Sequence, residues 1–556
     1  MTKHHRSGEG FSRRSFIKAG AAGAATIATG TTLSGSAVSA PGFDSSCDGS
    51  RDVNLVNGRF LTMDPANSIA SSVAVRDGRI SKVVRIGGRG DRRDDDDHDH
   101  GSAAGLGPCS RTINLRGATV IPGLIDSHVH YIRAGQLPGY QVRIIETAAS
   151  VAELLQMIAA RTKTVPAGQF ITNVGGWNIN GLSEARMPTL AELDSAAPQH
   201  AVYLSTTGAG GAVTNSLGRT FFQSKGITVD ANGVLNAALA LAALQSVQTD
   251  ADRQRSTSEF NDFAASLGVT MVTDMGTAGA AVEGIKGYDY DLNLWRAGNL
   301  KVRLRSFLNS SEDTGFSIAQ ARITNSFRQV GDEVFRTNGI GERVSSDTLN
   351  AGYIDFCRFA AEQGWMVTQH SLTSAEIDFH LRAYESAKQV GPIDTLRWTL
   401  DHVNPITDVQ VQAVKALGIG LRLQAWNYTS ANPAGPPWRM LVDSGIPLGA
   451  GTDSTNVGPF NPWLMIYYMT TMRNNAGTAA TPANQQITRL EALRMYTIGS
   501  AYLSFDERRL GSIETGKLAD LVVLNDDPLK VSDAQLKRLR SVLTFQAGRI
   551  VHGTLA

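Results

Sequence analysis

The chain has 556 residues, of which 42% are hydrophobic and 19% charged, with a formal net charge of +1. That composition is that of a folded globular protein, and the length calls for one large domain plus at least one more. A near-neutral balance without a polybasic surface argues against nucleic acid as a partner.

The first forty residues stand apart. Ser12-Arg13-Arg14-Ser15-Phe16-Ile17-Lys18 precedes a weakly apolar Ala/Gly/Thr run and then Ala37-Val38-Ser39-Ala40. A basic start, a short apolar stretch and small residues at a cleavage point make a signal peptide, and this one resembles a twin-arginine export signal at every motif position. Residues 1–40 are read as removed after Ala40. They hold five Lys or Arg and one acid, so the remaining chain carries a net charge near −3. The expectation is an exported protein, periplasmic or extracellular, whose first partner is the export machinery. No later stretch is long and apolar enough to span a membrane. Of the three cysteines, Cys47 and Cys109 would be able to pair in an oxidising compartment, and Cys357 reads as a small buried hydrophobe in a helix.

Residues 52–86 read as short strands with hairpin-type turns at Asn57-Gly58 and Asp77-Gly78. Residues 87–110 are a charged, Gly-rich insertion, read as solvated and disordered, in which His98 and His100 sit in an acidic run. A strand returns over Thr112–Val120. At the other end, Gly511–Asn525 reads as strand, turn, strand, and Ser541–Phe545 and Arg549–His552 bracket another Gly turn. The simplest arrangement is a small β-sandwich built from both termini, 41–123 and 509–556, around an inserted domain over 124–508.

That middle part can be counted. Parallel strands separated by helices are predicted at Leu124–His130, Val269–Asp274, Val302–Phe307, Gly339–Val344, Met366–His370, Trp398–His402, Ile419–Leu423 and Pro447–Asp453. Eight such units close a (β/α)8 barrel, an α/β fold. A long insertion, 131–265, follows the first strand, with a helix over Val151–Thr162, a strand ending at Gly175-Gly-Trp177 and another at Val202–Ser205.

The chemistry concentrates at the strand ends. His128 and His130 lie two apart on a strand and so point to one face. Convergent imidazoles are half of a tetrahedral zinc site. The fifth strand ends in His370, the sixth in His402 and the eighth in Asp453. Catalytic groups of such barrels sit at these carboxyl ends. Seven histidines lie outside the first forty residues and the acidic run, and four of them take these positions. The other three, His200, His380 and His552, are assigned to the surface.

These pieces, with LVNGRFLTMD, VIPGLIDSHVH, NVGGW, GVTMVTDMG, GAGTDS and the long C-terminal block through LADLVVLNDDP, resemble the amidohydrolase superfamily, in the subgroup of N-acyl amino acid deacylases and formamide deformylases. The resemblance runs from about residue 52 to the end. It implies a (β/α)8 barrel with a terminal β-sandwich and one or two divalent ions, expected to be zinc. His128, His130 and Asp453 would hold one ion, and His370 and His402 a second. Relatives often bridge the two with a carboxylated lysine on the fourth strand. This chain has Gly339-Ile-Gly-Glu342-Arg343-Val344 there, and Glu342 is the candidate substitute. Two further departures are Gly208-Ala-Gly210, where relatives carry Asp-Gly-His, and Thr273-Asp274, where they carry a histidine before the aspartate. Both imply a less polar pocket. Trp177, Asp274, Trp426 and Asn427 are candidate pocket residues by position.

The implied reaction is hydrolysis of a non-peptide amide or other C–N bond of a small molecule, with Asp453 moving the proton. Deamination or ester/lactone hydrolysis at the same site stays open, as does a non-catalytic exported binding protein with a relic barrel. A homo-oligomer also stays open.

Overall fold

Eight parallel strands organise the described part of the chain: Leu124–Val129, Val269–Asp274, Arg303–Leu308, Phe335–Ile340, Thr368–Ser371, Thr399–His402, Gly420–Gln424 and Leu448–Gly451. The structure, a computed structural model, describes residues 52–86, 110–173, 175–206, 211–276, 287–454 and 457–554, all within one compact unit, Gly49–Ala556. The export signal, the acidic run with His98 and His100, Cys47, Cys109 and Gly208–Gly210 lie outside the described residues.

The first four strands pair in sequence as one parallel sheet and the last four as another. Backbone hydrogen bonds join them on both sides. Ile340 N–H donates to Met366 O (3.0 Å) and His370 N–H to Glu342 O (3.1 Å) at one seam. Asp453 N–H donates to His128 O (2.9 Å) and His130 N–H to Ser454 O (3.0 Å) at the other. The strands thus close into a barrel. Such strands are covered on both faces and read as apolar runs rather than alternations; the first, second, sixth, seventh and eighth are buried throughout. The helices between them are cut by local chemistry. Asp408–Leu417 starts at a capping box of Thr407 and Gln410 and stops at Gly418 in the left-handed region (φ 74°).

The fourth strand lies earlier than the sequence suggests, at Phe335–Ile340 rather than Gly339–Val344. Its inward residues include Arg336 and Asn338, so no apolar run marks it. Glu342 therefore sits two residues past the strand end, in the loop.

Strands from both ends of the chain form a single nine-stranded sheet: Val53–Val56, Arg59–Leu61, Ile69–Arg76, Arg79–Arg85, Arg111–Asn114, Thr119–Pro122, Leu521–Leu524, Ser541–Gln546 and Arg549–His552. It has its own apolar core, with Leu55, Phe60, Val75, Val120, Leu521 and Phe545. Asp77-Gly78, both at positive φ, make a true hairpin turn. Asn57-Gly58 does not, because the strands on either side of it both pair with Ile69–Arg76 instead of with each other. The stretch expected as one strand over Thr112–Val120 is two, broken at Arg116-Gly117 (φ 51° and 85°), and Gly511–Asn525 holds one strand instead of two.

The insertion after the first strand carries a small five-stranded sheet, helices that include Val151–Thr162, and two apolar clusters of its own. Its second strand is Ile171–Thr172, short of Trp177. Among the described residues no helix is long and apolar enough to cross a membrane.

Candidate metal centre

At the carboxyl end of the barrel Glu342 lies amid four imidazoles. Its carboxylate is 3.5 Å from His128 Nε2, 3.4 Å from His130 Nε2, 2.9 Å from His370 Nδ1 and 3.2 Å from His402 Nε2. Asp453 Oδ1 is 3.6 Å from His128 Nε2 and 3.4 Å from His130 Nε2. These six residues come from the first, fourth, fifth, sixth and eighth strand ends, and three overlapping triads among them present ligand atoms within 4.8 Å of one another: His128–His130–Glu342, His128–His402–Asp453 and Glu342–His370–His402.

The spacing fits a cation. Four tetrahedral ligands bonded at about 2.0–2.2 Å lie about 3.3–3.6 Å apart. The four distances linking His128 and His130 to Glu342 and Asp453 span 3.4–3.6 Å. Around His370 and His402 the separations are shorter, with 2.8 Å between His370 Nδ1 and His402 Nε2, as for adjacent ligands of a more crowded ion. Both ring nitrogens of His128 and Nε2 of His370 are buried without a hydrogen-bond partner. Buried polar atoms left over in this way mark a missing ion or water.

The outer nitrogens of His130 and His402 are held from behind. His130 Nδ1 meets Gly276 O at 2.7 Å. His402 Nδ1 meets Gln424 Oε1 at 2.7 Å, and Gln424 Nε2 donates to Arg422 O, which fixes the amide's orientation. His402 Nδ1 therefore carries the proton, and Nε2 faces the centre with its lone pair. Asp401 Oδ2 stands 3.5 Å from His128 Nδ1 and accepts from Thr368 Oγ1.

Backbone strain and close approach help to aim the groups. His402 (φ 71°) and Asp453 (φ 51°) lie in the left-handed region, at a cost of roughly 1–3 kcal/mol each that the surrounding packing has to offset. At Gly451 a Cβ would fall 2.6 Å from His128 N, so only glycine lets the eighth strand come this close to the first.

The charges sustain one another. Burial alone would raise both carboxyls. The histidines outweigh it, holding Glu342 (chiefly through His370) and Asp453 (chiefly through His128 and His130) well below the carboxylate range. Burial would likewise lower His128 and His130, yet Asp401, Asp453 and Glu342 lift His128, and Asp453 and Glu342 lift His130 to about 9 against Arg133. This is a strongly cation-seeking pair of carboxylates.

A sequence profile of the amidohydrolase family matches residues 111–552, most of the chain. The chain belongs to the amidohydrolase family. It is similar to the N-substituted formamide deformylase of Arthrobacter pascens, 25% identical over 90% of this chain and 98% of that one. It is also similar to the putative amidohydrolase YtcJ of Bacillus subtilis, 23% identical over 80% of this chain and 91% of that one. In fold it resembles an uncharacterised metal-dependent hydrolase of Pyrococcus horikoshii (TM-score 0.55, 18% identity, 87% of this chain and 99% of that one). A second structure like it is the zinc complex of atrazine chlorohydrolase from Arthrobacter aurescens (TM-score 0.52, 16% identity, 91% of this chain and 97% of that one). This amidohydrolase is a metal-dependent hydrolase.

Each candidate pocket residue has a defined environment. Asp274 is fully buried and accepts from Tyr288 Oη, Gly276 N–H and Ile132 N–H. It braces the turn whose Gly276 carbonyl orients His130, so its carboxylate is already committed. Asn427 ties down its own loop by donating to Ala434 O at 2.7 Å. Trp177 packs in the insertion's core and donates to Ser205 O. Trp426 stands beside Gly458, with its indole Nε1 buried and unpartnered.

Two of the three remaining histidines correct the surface assignment. His200 is buried, with Nε2 at 3.2 Å from Val165 O. His380 is fully buried with Nδ1 at 2.8 Å from Ser371 Oγ, and burial lowers it to about 4. His380 lies on the barrel-facing side of its helix, among Ile377, Leu381 and Tyr384. His552 is half-buried, and Cys357 is buried and unpaired as expected.

Missed altogether by sequence reasoning are Asp126, Asp401 and Gln424. Asp126 accepts from His128 N–H, Thr452 N–H and Thr452 Oγ1, which ties the first strand to the eighth, and burial pushes it up to about 7. The signal was available. Asp126 is two residues before His128 and hence on the same inward face.

Proposed function

We propose that this amidohydrolase is an exported enzyme that cleaves an amide or closely related C–N bond of a small molecule. The observation that carries the reading is the meeting of His128, His130, Glu342 and Asp453 at tetrahedral-edge spacing, with His370 and His402 also within reach of Glu342. The similarity to a formamide deformylase along nearly its whole length supports the choice of bond.

The six residues would hold one or two divalent ions, zinc for preference because the donors are imidazole and carboxylate. Bound there, such an ion polarises a carbonyl and brings the pKa of water toward ~7. The chain's own groups do the rest. Glu342 reaches both groups of histidines and substitutes for the expected lysine without needing carbon dioxide. Asp453, kept ionised beside His128 and His130, takes the proton of the attacking water and delivers it to the departing nitrogen. Gln424 and the Gly276 carbonyl hold the imidazoles in the tautomers this requires.

The same reading includes cleavage of the signal after Ala40, a barrel domain over 124–508, and a terminal sheet folded as two layers. The charge-poor Ala/Gly/Thr stretch after Arg13-Arg14 supports the first, and the separate apolar core of the nine-stranded sheet supports the last. The test is turnover of a panel of N-substituted formamides, N-acyl compounds, cyclic amides and matched esters. Amide or formamide turnover that chelator abolishes and divalent metal restores is expected. Turnover of esters alone, or turnover indifferent to chelator, would overturn the reading.

A further inference from the structure

Inside the barrel a buried arginine is joined to the metal centre by a chain of side chains. Arg422, on the seventh strand, donates from its two terminal nitrogens to Ser127 O (2.6 Å) and Leu503 O (3.0 Å), and from Nε to Thr399 Oγ1 (3.1 Å). Thr399 Oγ1 donates to Thr368 Oγ1 at 2.6 Å, and Thr368 Oγ1 donates to Asp401 Oδ2, also at 2.6 Å. Strand register brings these groups together. Thr368 pairs with Thr399 across the fifth and sixth strands, and Asp401 with Arg422 across the sixth and seventh. Thr399 and Asp401, two residues apart, share one face of their strand. All four side chains are fully buried, as is His128. The direction of the chain is forced from both ends. A guanidinium can only donate, a carboxylate can only accept, and each hydroxyl has one proton to give. Every proton along the chain therefore points toward Asp401.

Asp401 ends the chain with accepting capacity to spare. Its Oδ1 is buried without a partner, and its Oδ2 stands 3.5 Å from His128 Nδ1, which is also buried without a hydrogen bond. With Nδ1 protonated, the imidazole turns a donor toward that carboxylate. Its Nε2 lone pair then faces the carboxylates of Glu342 and Asp453, 3.5 and 3.6 Å away. The other tautomer would set a lone pair against Asp401 and place a proton where the ion belongs. Closing the gap to the usual ~2.9 Å takes about 0.6 Å of movement. We propose that Asp401 is the positioning residue of His128: it accepts from Nδ1–H, fixes the ring with Nε2 toward the ion, and is itself fixed by the Arg422–Thr399–Thr368 chain. The inference rests on the reading of the upper cluster as a metal centre. A carboxylate behind a ligating imidazole sets its orientation and raises its basicity. Asp401 thus does for His128 with a full charge what Gln424 does for His402 with an amide.

Two measurements on the full-length protein test this. The first is zinc affinity by competition with a chromophoric chelator, beside a thermal melt. D401L, which removes the acceptor, should bind zinc about 10–100-fold more weakly than the wild type. D401N keeps an oxygen and loses the charge, so it should lose less than D401L. T368V, which cuts the chain one link back, should show a smaller loss that T368S reverses. The second is 1H–15N NMR of the zinc-loaded wild type labelled at histidine, with the His128 signals assigned by their loss in H128N. The His128 proton is expected on Nδ1, in slow exchange with solvent. A proton found on Nε2, or full zinc affinity in folded D401L, would overturn the proposal and leave the metal centre standing. Wild-type protein that binds no zinc would overturn the metal centre itself, and the proposal with it. The NMR result on the wild type decides the matter even if D401L fails to fold.

Discussion

The two ends of the barrel treat buried charge in opposite ways. At the amino end Arg303 grips Asp520 through two hydrogen bonds of 2.7 and 2.9 Å. Asp506 takes Arg305, Arg336 and Arg509 at 2.7–2.9 Å, and Arg422 donates to the carbonyls of Ser127 and Leu503. Positive and negative groups there answer each other and join the barrel to the C-terminal segment. At the carboxyl end two carboxylates face four imidazoles, both ring nitrogens of His128 are buried without a hydrogen-bond partner, and two residues sit in strained backbone. The lesson is that a charged cluster closed on itself serves stability, whereas one left open toward a common point serves a ligand. The barrel fold separates the two roles in the same way, with stability at the bottom and chemistry at the top.

The sharpest way to break the comparison is to alter one carboxylate at each end. D453N should lower kcat by about 10^2–10^4-fold while the melting midpoint stays close to that of the wild type; steady-state kinetics beside a thermal melt checks both. D506A should do the reverse. Removing one partner of a buried charge cluster costs about 3–5 kcal/mol, read in urea unfolding, and kcat per folded molecule should be retained. The pH dependence of that stability has a definite sign. The arginines outweigh burial and hold Asp506 below the ordinary carboxylate value. Its contribution is therefore complete above the unfolded pKa of ~3.9 and is lost as pH falls through the lower folded value. Unfolding of the wild type should steepen below about pH 4, and D506A should lack that part of the loss.

A smaller effect sharpens the picture at the upper end. Q424L removes the acceptor that fixes the His402 tautomer while leaving every ligand atom in place. Loss of such a supporting partner typically costs about 10–100-fold in metal affinity, measurable by competition with a chromophoric chelator. An unchanged affinity would mean that packing alone orients His402.

Why one end was legible in the sequence and the other was not follows from the same contrast. Histidine is rare, and four of them at strand ends stand out against apolar runs; Glu342 stood out because it occupies the place of an expected lysine. Arg303-Leu304-Arg305 gave no comparable signal, since charged and apolar residues in alternation ordinarily mean a half-solvated strand. Here both arginines are buried because Asp506 and Asp520, some two hundred residues away, meet them. His380 and His200 misled for the related reason that a single histidine carries no mark of the face on which it lies. The jog at Asn57-Gly58 was misread because turn chemistry is local, whereas the choice of pairing partner is made by the whole sheet. Eight strands were countable as runs separated by helical stretches, but the fourth was placed late, as polar inward residues removed its apolar run.

The most direct test of the central claim, that the upper cluster is a metal centre, is elemental analysis of protein purified without chelator. The account predicts about one or two equivalents of divalent metal per chain, zinc foremost, retained in D506N and lost in a double variant, H128A with H130A, that still folds. Wild-type protein that turns over an amide with no bound metal, or a double variant that keeps its full complement, would contradict it.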